Sequence, residues 1–502
     1  MSRFALRALA LGLAVGIPAA LSAQVHYHDD GQPWKQRAHA GPDAVVPGWF
    51  YNLGITGLRV ELVANEPKAL VVRYVFAGTP AIARIEAGDV LVGVDGQAFA
   101  NEHQNGYGMK VFGARGPIEE FATALEACQA AGGSGKLRVS VRRGNVTREA
   151  TLAVGKQYGA FAPTFPNGCE KSAKILSDLY PYLLAQQNDE GSFGNPVSDT
   201  FAPLALLASG KPEHRKAVER CARFHARVTK VRDEASLINW RYMAAAIVLS
   251  EYYLATKQAW VKPELQKLYE LLEWTQYMDS SQIHPRAKQT HPDSYPKDPR
   301  DSHGGWGHNP GFEGYGPICM LTGQGALSFA LLQRCGIAVD RARHDAAYAF
   351  LQRATGPNGY VWYEDDVGDP KGWADMGRTG AAGVANWLAP QEEPAHRERA
   401  LAHAKVIGEH PQSFPDTHGS PVMGMAYAAL AANADPESFR KLMDANRWWF
   451  ALAQCADGSF YYQPNRDNAG YGAEARTDVS SVVAFILSIP KRNLVVTGKD
   501  SK

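Results

Sequence analysis

The chain lacks most of the short strings that announce a mechanism. Its six cysteines (Cys128, Cys169, Cys221, Cys319, Cys335 and Cys455) are scattered, with no CxxC pair. That excludes a zinc knuckle or a thioredoxin-like redox centre, and the spacing selects no disulfide pairing. Neither sign of charge dominates. Fifty-two Lys+Arg against 51 Asp+Glu leave a formal charge of +1, which gives no global attraction for nucleic acid or an anionic membrane. After the first residues no apolar run is long enough to span a bilayer. A GxSxG elbow and an HExxH string are both missing, so a serine or zinc protease has no support.

What is present is ordinary globular composition over 502 residues, 45% hydrophobic and 21% charged, which points to two or more domains. The 48 Gly and 30 Pro imply long turns between regular elements. At the start, Arg3 and Arg7 precede an apolar run over 8–21, then Leu21-Ser22-Ala23 before Gln24. That is the pattern of a secretory signal over 1–23, so a periplasmic or secreted protein is expected.

A polar lead covers 24–45. The next region, 46–156, reads as short strands and one helix. Strands are expected over 58–63, 69–76 and 90–94, with Asp95-Gly96 as a tight turn. Phe121, Ala124, Leu125 and Cys128 carry helical spacing over 117–130. A hairpin over 137–154 closes the unit. The strings GTPA at 78–81, AGDVLVGVDGQ at 87–97 and LRVSVRRGNVTREATLAV at 137–154 make this region resemble a PDZ domain of the bacterial, protease-associated kind. The resemblance implies that Leu53, Gly54 and Ile55 form an amide nest for a terminal carboxylate. A peptide or protein C-terminus is then the expected partner, added as a strand. The segment 100–115 is longer than the usual connection. The alternative is that the domain only packs against its neighbour.

After a Gly/Pro/aromatic linker at 157–166, the period becomes helical over 167–490, followed by a tail at 491–502. Twelve helices are expected near 170–187, 198–209, 213–228, 234–257, 262–278, 316–335, 341–354, 378–389, 394–409, 419–432, 436–453 and 477–488. A repeated turn introduces several of them: Gly191-Ser192-Phe193, Gly304-Gly305-Trp306, Gly359-Tyr360 and Gly458-Ser459-Phe460. Paired helices and these turns resemble the terpenoid cyclase and protein prenyltransferase superfamily. The combination resembles uncharacterised bacterial secreted proteins. The fold implied is multidomain, a small α+β PDZ-like domain followed by an all-α (α/α)6 toroid. The superfamily's chemistry does not transfer. Glu364-Asp365-Asp366 lacks the DxDD spacing of a cyclase acid, no Asp-x-Cys zinc pair occurs, and a Cys-Gly-Glu-Gln thioester string is missing.

In such a toroid the inner helices open at one mouth, and their N-termini favour an anion there. The residues entering them are the candidates. His308, Tyr315, Arg378, His418 and Arg476 are expected to carry proton transfer and charge stabilisation. Asp199, Trp306, Glu313, Tyr360, Asp416, Tyr462, Tyr471 and Asp478 are expected to bind substrate. The alternatives are N-caps, solvated arginines and aromatics that pack long loops. The segment 279–316 is too long for a helix connection and holds His284, His291, His303 and His308. Asp301, His303 and His308 suggest a metal, but HxxxxH in a Gly-rich turn is no recognised ligand spacing, so neither metal nor cofactor is expected. Two functions follow. One is an exported enzyme acting on a glycan or polyanionic substrate, lyase- or hydrolase-like by fold analogy alone. The other is a non-catalytic periplasmic binding scaffold.

Overall fold

The computed structural model describes residues 49–63, 65–105, 114–233, 235–390, 394–418, 420–461, 463–464 and 475–500. The expected leader at 1–23, the expected lead at 24–45, Tyr462 and Tyr471 lie outside the described residues.

The first unit is an antiparallel sheet. Its strands are β1 (Trp49–Asn52), β2 (Leu58–Leu62), β3 (Leu70–Val75), β4 (Val90–Val94), β5 (Gln97–Ala98), β8 (Lys136–Arg143) and β9 (Val146–Ala153). They run in the order β1-β2-β3-β4-β8-β9, with β5 on β4. A separate ribbon pairs β6 (Gln104–Asn105) with β7 (Ala114–Arg115). Asp95 and Gly96 take positive φ of 51° and 80°, the geometry a two-residue hairpin between β4 and β5 demands. Helix α1 (Pro117–Gln129) packs on β4 and β8. It buries Ile118, Phe121, Ala122 and Leu125 against Leu137, Val139 and Val141.

The second unit is helical. Its helices are α2 (Glu170–Gln186), α3 (Pro196–Ala208), α4 (Arg215–Val228), α5 (Ile238–Thr256), α6 (Val261–Thr275), the short α7 (Ala287–Thr290), α8 (Cys319–Arg334), α9 (Arg341–Arg353), α10 (Gly377–Leu388), α11 (Pro394–Glu409), α12 (Pro421–Ala432), α13 (Pro436–Ala445), α14 (Arg447–Ala453) and α15 (Arg476–Ser488). Helices α3, α5, α8, α10, α12 and α15 touch one another in that order, and α15 returns to α3. Helices α2, α4, α6, α9, α11 and α13 pack outside this ring. The result is an α/α toroid of six hairpins. The inner helices α8 and α12 are buried along almost every residue, as expected of helices enclosed on all sides. The outer α4 buries one stripe, Ala217, Val218, Cys221, Ala222 and His225.

The repeated turn has one construction in four places. Gly191, Gly304, Gly359 and Gly458 all take positive φ, between 84° and 98°. A Cβ at Gly304 would sit 2.2 Å from the Ala346 carbonyl oxygen of α9, and one at Gly359 would sit 2.8 Å from that of Ala402 in α11. Only glycine meets both demands. Two residues on, a backbone N–H donates to an inner-helix side chain. The pairs are Phe193 to Asp199, Trp306 to Thr322, Val361 to Thr379 and Phe460 to Ser480, at 2.5, 3.1, 3.0 and 3.0 Å. Sequence alignment by aromatics placed Tyr360 at this position. In the structure its equivalents are Ser192, Gly305 and Ser459.

One expected helix, 436–453, is two. Asn446 ends α13 and donates its amide to the carbonyls of Pro411 and Leu442, each at 2.8 Å. The chain turns, and α14 packs on α1, β1 and the Gly54 turn of the sheet domain. Trp448, Trp449 and Phe450 are buried there. Phe450 stacks edge-on against Phe165 at 5.4 Å, and Trp448 lies 6.4 Å from Tyr51.

Candidate active site

At one mouth of the ring a cavity of about 640 Å³ opens. Its walls are the first turns of five inner helices: Val197 of α3, Ile238, Trp240 and Arg241 of α5, Met320 of α8, Arg378 of α10 and Met423 of α12. Connecting loops add Leu237, His308, Tyr315, Ile318, Tyr363, His418 and Ser420. Three of these helices, α5, α8 and α10, begin at Leu237, Ile318 and Met376 with no side-chain cap. Their N-terminal dipoles therefore face the mouth without a built-in carboxylate or hydroxyl. Among the described residues lining the cavity none is Asp or Glu, whereas Arg241, Arg378, His308 and His418 all are present.

His308 is held by the first turn of α5. The Asn239 amide donates to the carbonyls of Gly307 and Asn309 at 2.8 and 3.0 Å, and the Leu237 N–H donates to Asn309 Oδ1 at 2.8 Å. The Trp240 indole N–H donates to His308 Nδ1 at 2.9 Å. An indole only donates, so Nδ1 is the bare acceptor and the neutral ring carries its proton on Nε2. Burial, then the neighbouring His418, push the His308 pKa below its ordinary value. His308 is thus a neutral N–H donor at neutral pH.

Tyr315 lies 5.1 Å from the His308 ring, and its hydroxyl is 2.6 Å from that of Tyr363. Burial raises the Tyr363 pKa, which keeps Tyr363 protonated and able to donate to Tyr315. His418 packs on Tyr363 at 5.5 Å between ring centroids. Arg378 lies 5.3 Å from the centroid of the same Tyr363 ring. Its guanidinium donates to the Tyr360 hydroxyl at 2.6 Å and pairs with Asp375 at 3.2 Å. Burial opposes the charge on Arg378, but Asp375 and Tyr360 more than offset it and hold its pKa up. The four expected residues His308, Tyr315, Arg378 and His418 therefore share one cavity, although 110 positions separate the first from the last.

The other expected residues do not line it. Arg476 turns away to Asp457 and Ser459, at 2.8 and 3.0 Å, in the turn before α15. Asp199 accepts from the Ser192 hydroxyl and the Phe193 N–H, so it builds a repeat turn. Trp306 is fully buried, with its indole N–H donated to Leu272 O at 2.9 Å. Tyr360 is fully buried and holds Arg378. Asp478 accepts from the Asn195 amide at 2.8 Å, and burial raises its pKa. Asp416 is buried beside Tyr51. Glu313 is half-buried near Gly307, its pKa raised by burial. Polarity near a helix start marked the charged ones and the repeated turn marked Trp306 and Tyr360; for Asp199 and Arg476 the polarity serves the turn. Trp240, Arg241 and the apolar wall were not singled out as site residues, whereas Tyr363 stands among the loop aromatics that the sequence places on this face. For Trp240 and Arg241 the signal was their place at the start of an inner helix.

The loop singled out for a peptide carboxylate is also placed differently. Leu53 and Ile55 are buried, and a Cβ at Gly54 would lie 2.6 Å from the Ala451 carbonyl oxygen of α14. Strand β2 is interior, paired with β1 on one side and β3 on the other. Its edge is not available to a peptide. The outer edge of β1 is met by the Gln463 side chain, which accepts from Asn52 N at 2.9 Å and donates to Asn52 O at 3.0 Å. Among the described residues no cluster of three or more His, Cys, Asp or Glu is arranged to hold a metal ion, and no helix is long and apolar enough to cross a membrane.

Fold and site together define an α/α toroid with a sheet domain in front of it and, at one mouth, an aromatic cavity lined by two arginines and two histidines. The chain belongs to the family described as a domain of unknown function, DUF6288, whose model matches residues 172–498. No curated protein matches the chain. Solved structures of similar fold include an inactive variant of the α-1,6-mannanase GH76A of Salegentibacter sp. in complex with α-1,6-mannotetrose. It is 12% identical, with 64% of this chain and 99% of that chain covered and a TM-score of 0.45. A type II terpene cyclase from Scytonema in complex with its substrate is 13% identical, covering 63% and 96%, at 0.39. The cellobiose 2-epimerase of Bacillus thermoamylovorans is 11% identical, covering 63% and 98%, at 0.41.

Proposed function

We propose that this protein is an enzyme whose cavity binds an acid-bearing substrate and moves a proton beside the acid group. The observation that carries this is the convergence of two imidazoles, two paired phenols and two arginines on one cavity whose described lining has no carboxylate. Hydrolysis of a neutral glycan needs a pair of carboxylates, so the polyanionic branch of the sequence reading is preferred to the glycan branch. In this reading Arg241 neutralises the substrate acid, Arg378, already paired with Asp375, adds hydrogen-bond donors, and together they make the adjacent C–H more acidic. His418 takes that proton, and His308 gives its Nε2–H to the oxygen on which charge develops. Tyr315, backed by Tyr363, bonds the same charge. The segment 279–316 supplies the wall residues His308 and Tyr315 and leaves the cavity open, which supports an enzyme over a non-catalytic scaffold. A periplasmic or secreted location is part of the proposal and rests on the leader at 1–23.

The test is proton exchange. Acidic polysaccharides and small organic acids are incubated with the protein in deuterated water and followed by NMR. One acid class is expected to exchange its proton next to the carboxylate or to eliminate. His418→Ala should slow this by about a hundredfold or more with Tm almost unchanged. An exchange rate untouched by His418→Ala and Tyr315→Phe overturns the proposal.

A further inference from the structure

Polar side chains form only part of the cavity's lining. The rest includes Val197, Leu237, Ile238, Ile318, Met320 and Met423. A sugar body needs acceptors as well as donors for its hydroxyls, and such a wall gives it neither. Leu237 adds a second observation. It is 52% exposed, one of few large hydrophobics so placed. It also sits in the left-handed region at φ 63°, a conformation that costs a leucine energy. Both costs fall on a residue that lines the cavity next to Ile238 and one helical turn from Arg241. Burial of Leu237 by a ligand would recover the first of them.

We infer that the substrate is an amphipathic carboxylate. Its acid group meets Arg241, Arg378 and His308, and its aliphatic body lies along Leu237 and the two methionines. The inference rests on the acid-binding reading above and adds the chemistry of the body. Methionine walls suit such a body because the unbranched thioether adapts to chain shape.

Calorimetry on the full chain tests it with four probes: acetate, the aliphatic acids from hexanoate to decanoate below their micelle concentrations, decanol, and a trimer of galacturonic acid. Affinity is expected to rise about fourfold per methylene along the acid series. Leu237→Asn is compatible with the left-handed backbone and is expected to keep the fold. It should lower decanoate affinity about tenfold while leaving acetate unchanged. Arg241→Gln should weaken decanoate about tenfold and not decanol. If the galacturonate trimer binds and chain length has no effect on the acids, the aliphatic body is wrong and the acid-binding reading stands. If decanol binds as tightly as decanoate, or if no probe binds, both fail.

Discussion

The His308 ring shows how one neighbour can fix a proton. Because the Trp240 indole occupies Nδ1, Trp240→Phe should let His308 take up a proton at Nδ1 more readily. Imidazole NMR is expected to show the Nε2–H form alone in the native protein and a mixture, titrating at higher pH, in the variant. An unchanged tautomer would show that the indole bond does not set it. Two buried groups away from the cavity shape stability against pH. His403 lies 2.7 Å from the Gly359 carbonyl oxygen, so Nδ1 carries the donated proton. Burial pushes its pKa from 6.5 down to about 4. Its contribution is complete above pH 6.5 and lost as pH falls through 4, about 3 kcal/mol in all. Glu251 accepts from the N–H groups of Val495 and Val496, and burial pushes its pKa from 4.5 up to about 7. Its contribution is complete below pH 4.5 and lost as pH rises through 7. The two slopes oppose each other. Urea midpoints across this range should therefore rise with pH in Glu251→Gln and fall with pH in His403→Asn. Parallel profiles would contradict both assignments. With Asp375 fully buried beside it, Arg378→Ala should cost about 3 kcal/mol or more, which is why His418 and Tyr315 carry the activity test.

At the scale of elements, the repeated glycine turn is the unit that aims each inner helix. Gly359→Ala meets both a positive φ and the Ala402 carbonyl, and should destabilise by about 2–4 kcal/mol. Thr379→Val removes only the acceptor for Val361 and should cost about 1 kcal/mol. Equal effects in a denaturant titration would refute this division of roles. These turns and most helices were legible in the sequence, because helical periodicity and glycine punctuation are local signals. The break at Asn446 was not. Its cause is the sheet domain and the linker, against which Trp448 and Phe450 respectively pack, and the apolar spacing runs through it unchanged. The buried polar residues were misread for a related reason. Asp199 and Arg476 look like site residues in sequence, yet their partners Ser192 and Ser459 belong to the turn itself.

At the scale of the whole molecule, the two domains share a core. Lys171, buried at the start of α2, pairs with Glu126 of α1, and Arg447 donates to the carbonyls of Phe161 and Ala162. Removing one partner of such a buried pair costs about 3–5 kcal/mol, so Glu126→Ala should lower the Tm of sheet and toroid together in one calorimetric transition. Two separated transitions would show that the domains are independent. The mouth of the ring was legible because helix N-termini can be counted along the chain. Part of its composition was legible too, in His308, Tyr315, Arg378 and His418; the pairing of Trp240 with His308 was not, since they are 68 positions apart and nothing local marks their contact. The central claim is that four remote side chains make one anion-receiving cavity. Crystals soaked in bromide and read by anomalous scattering test it most directly. A bromide peak within hydrogen-bond reach of His308 Nε2 and an arginine of the cavity is the expected result. Bromide bound elsewhere on the protein, with that cavity empty of it, would contradict the account.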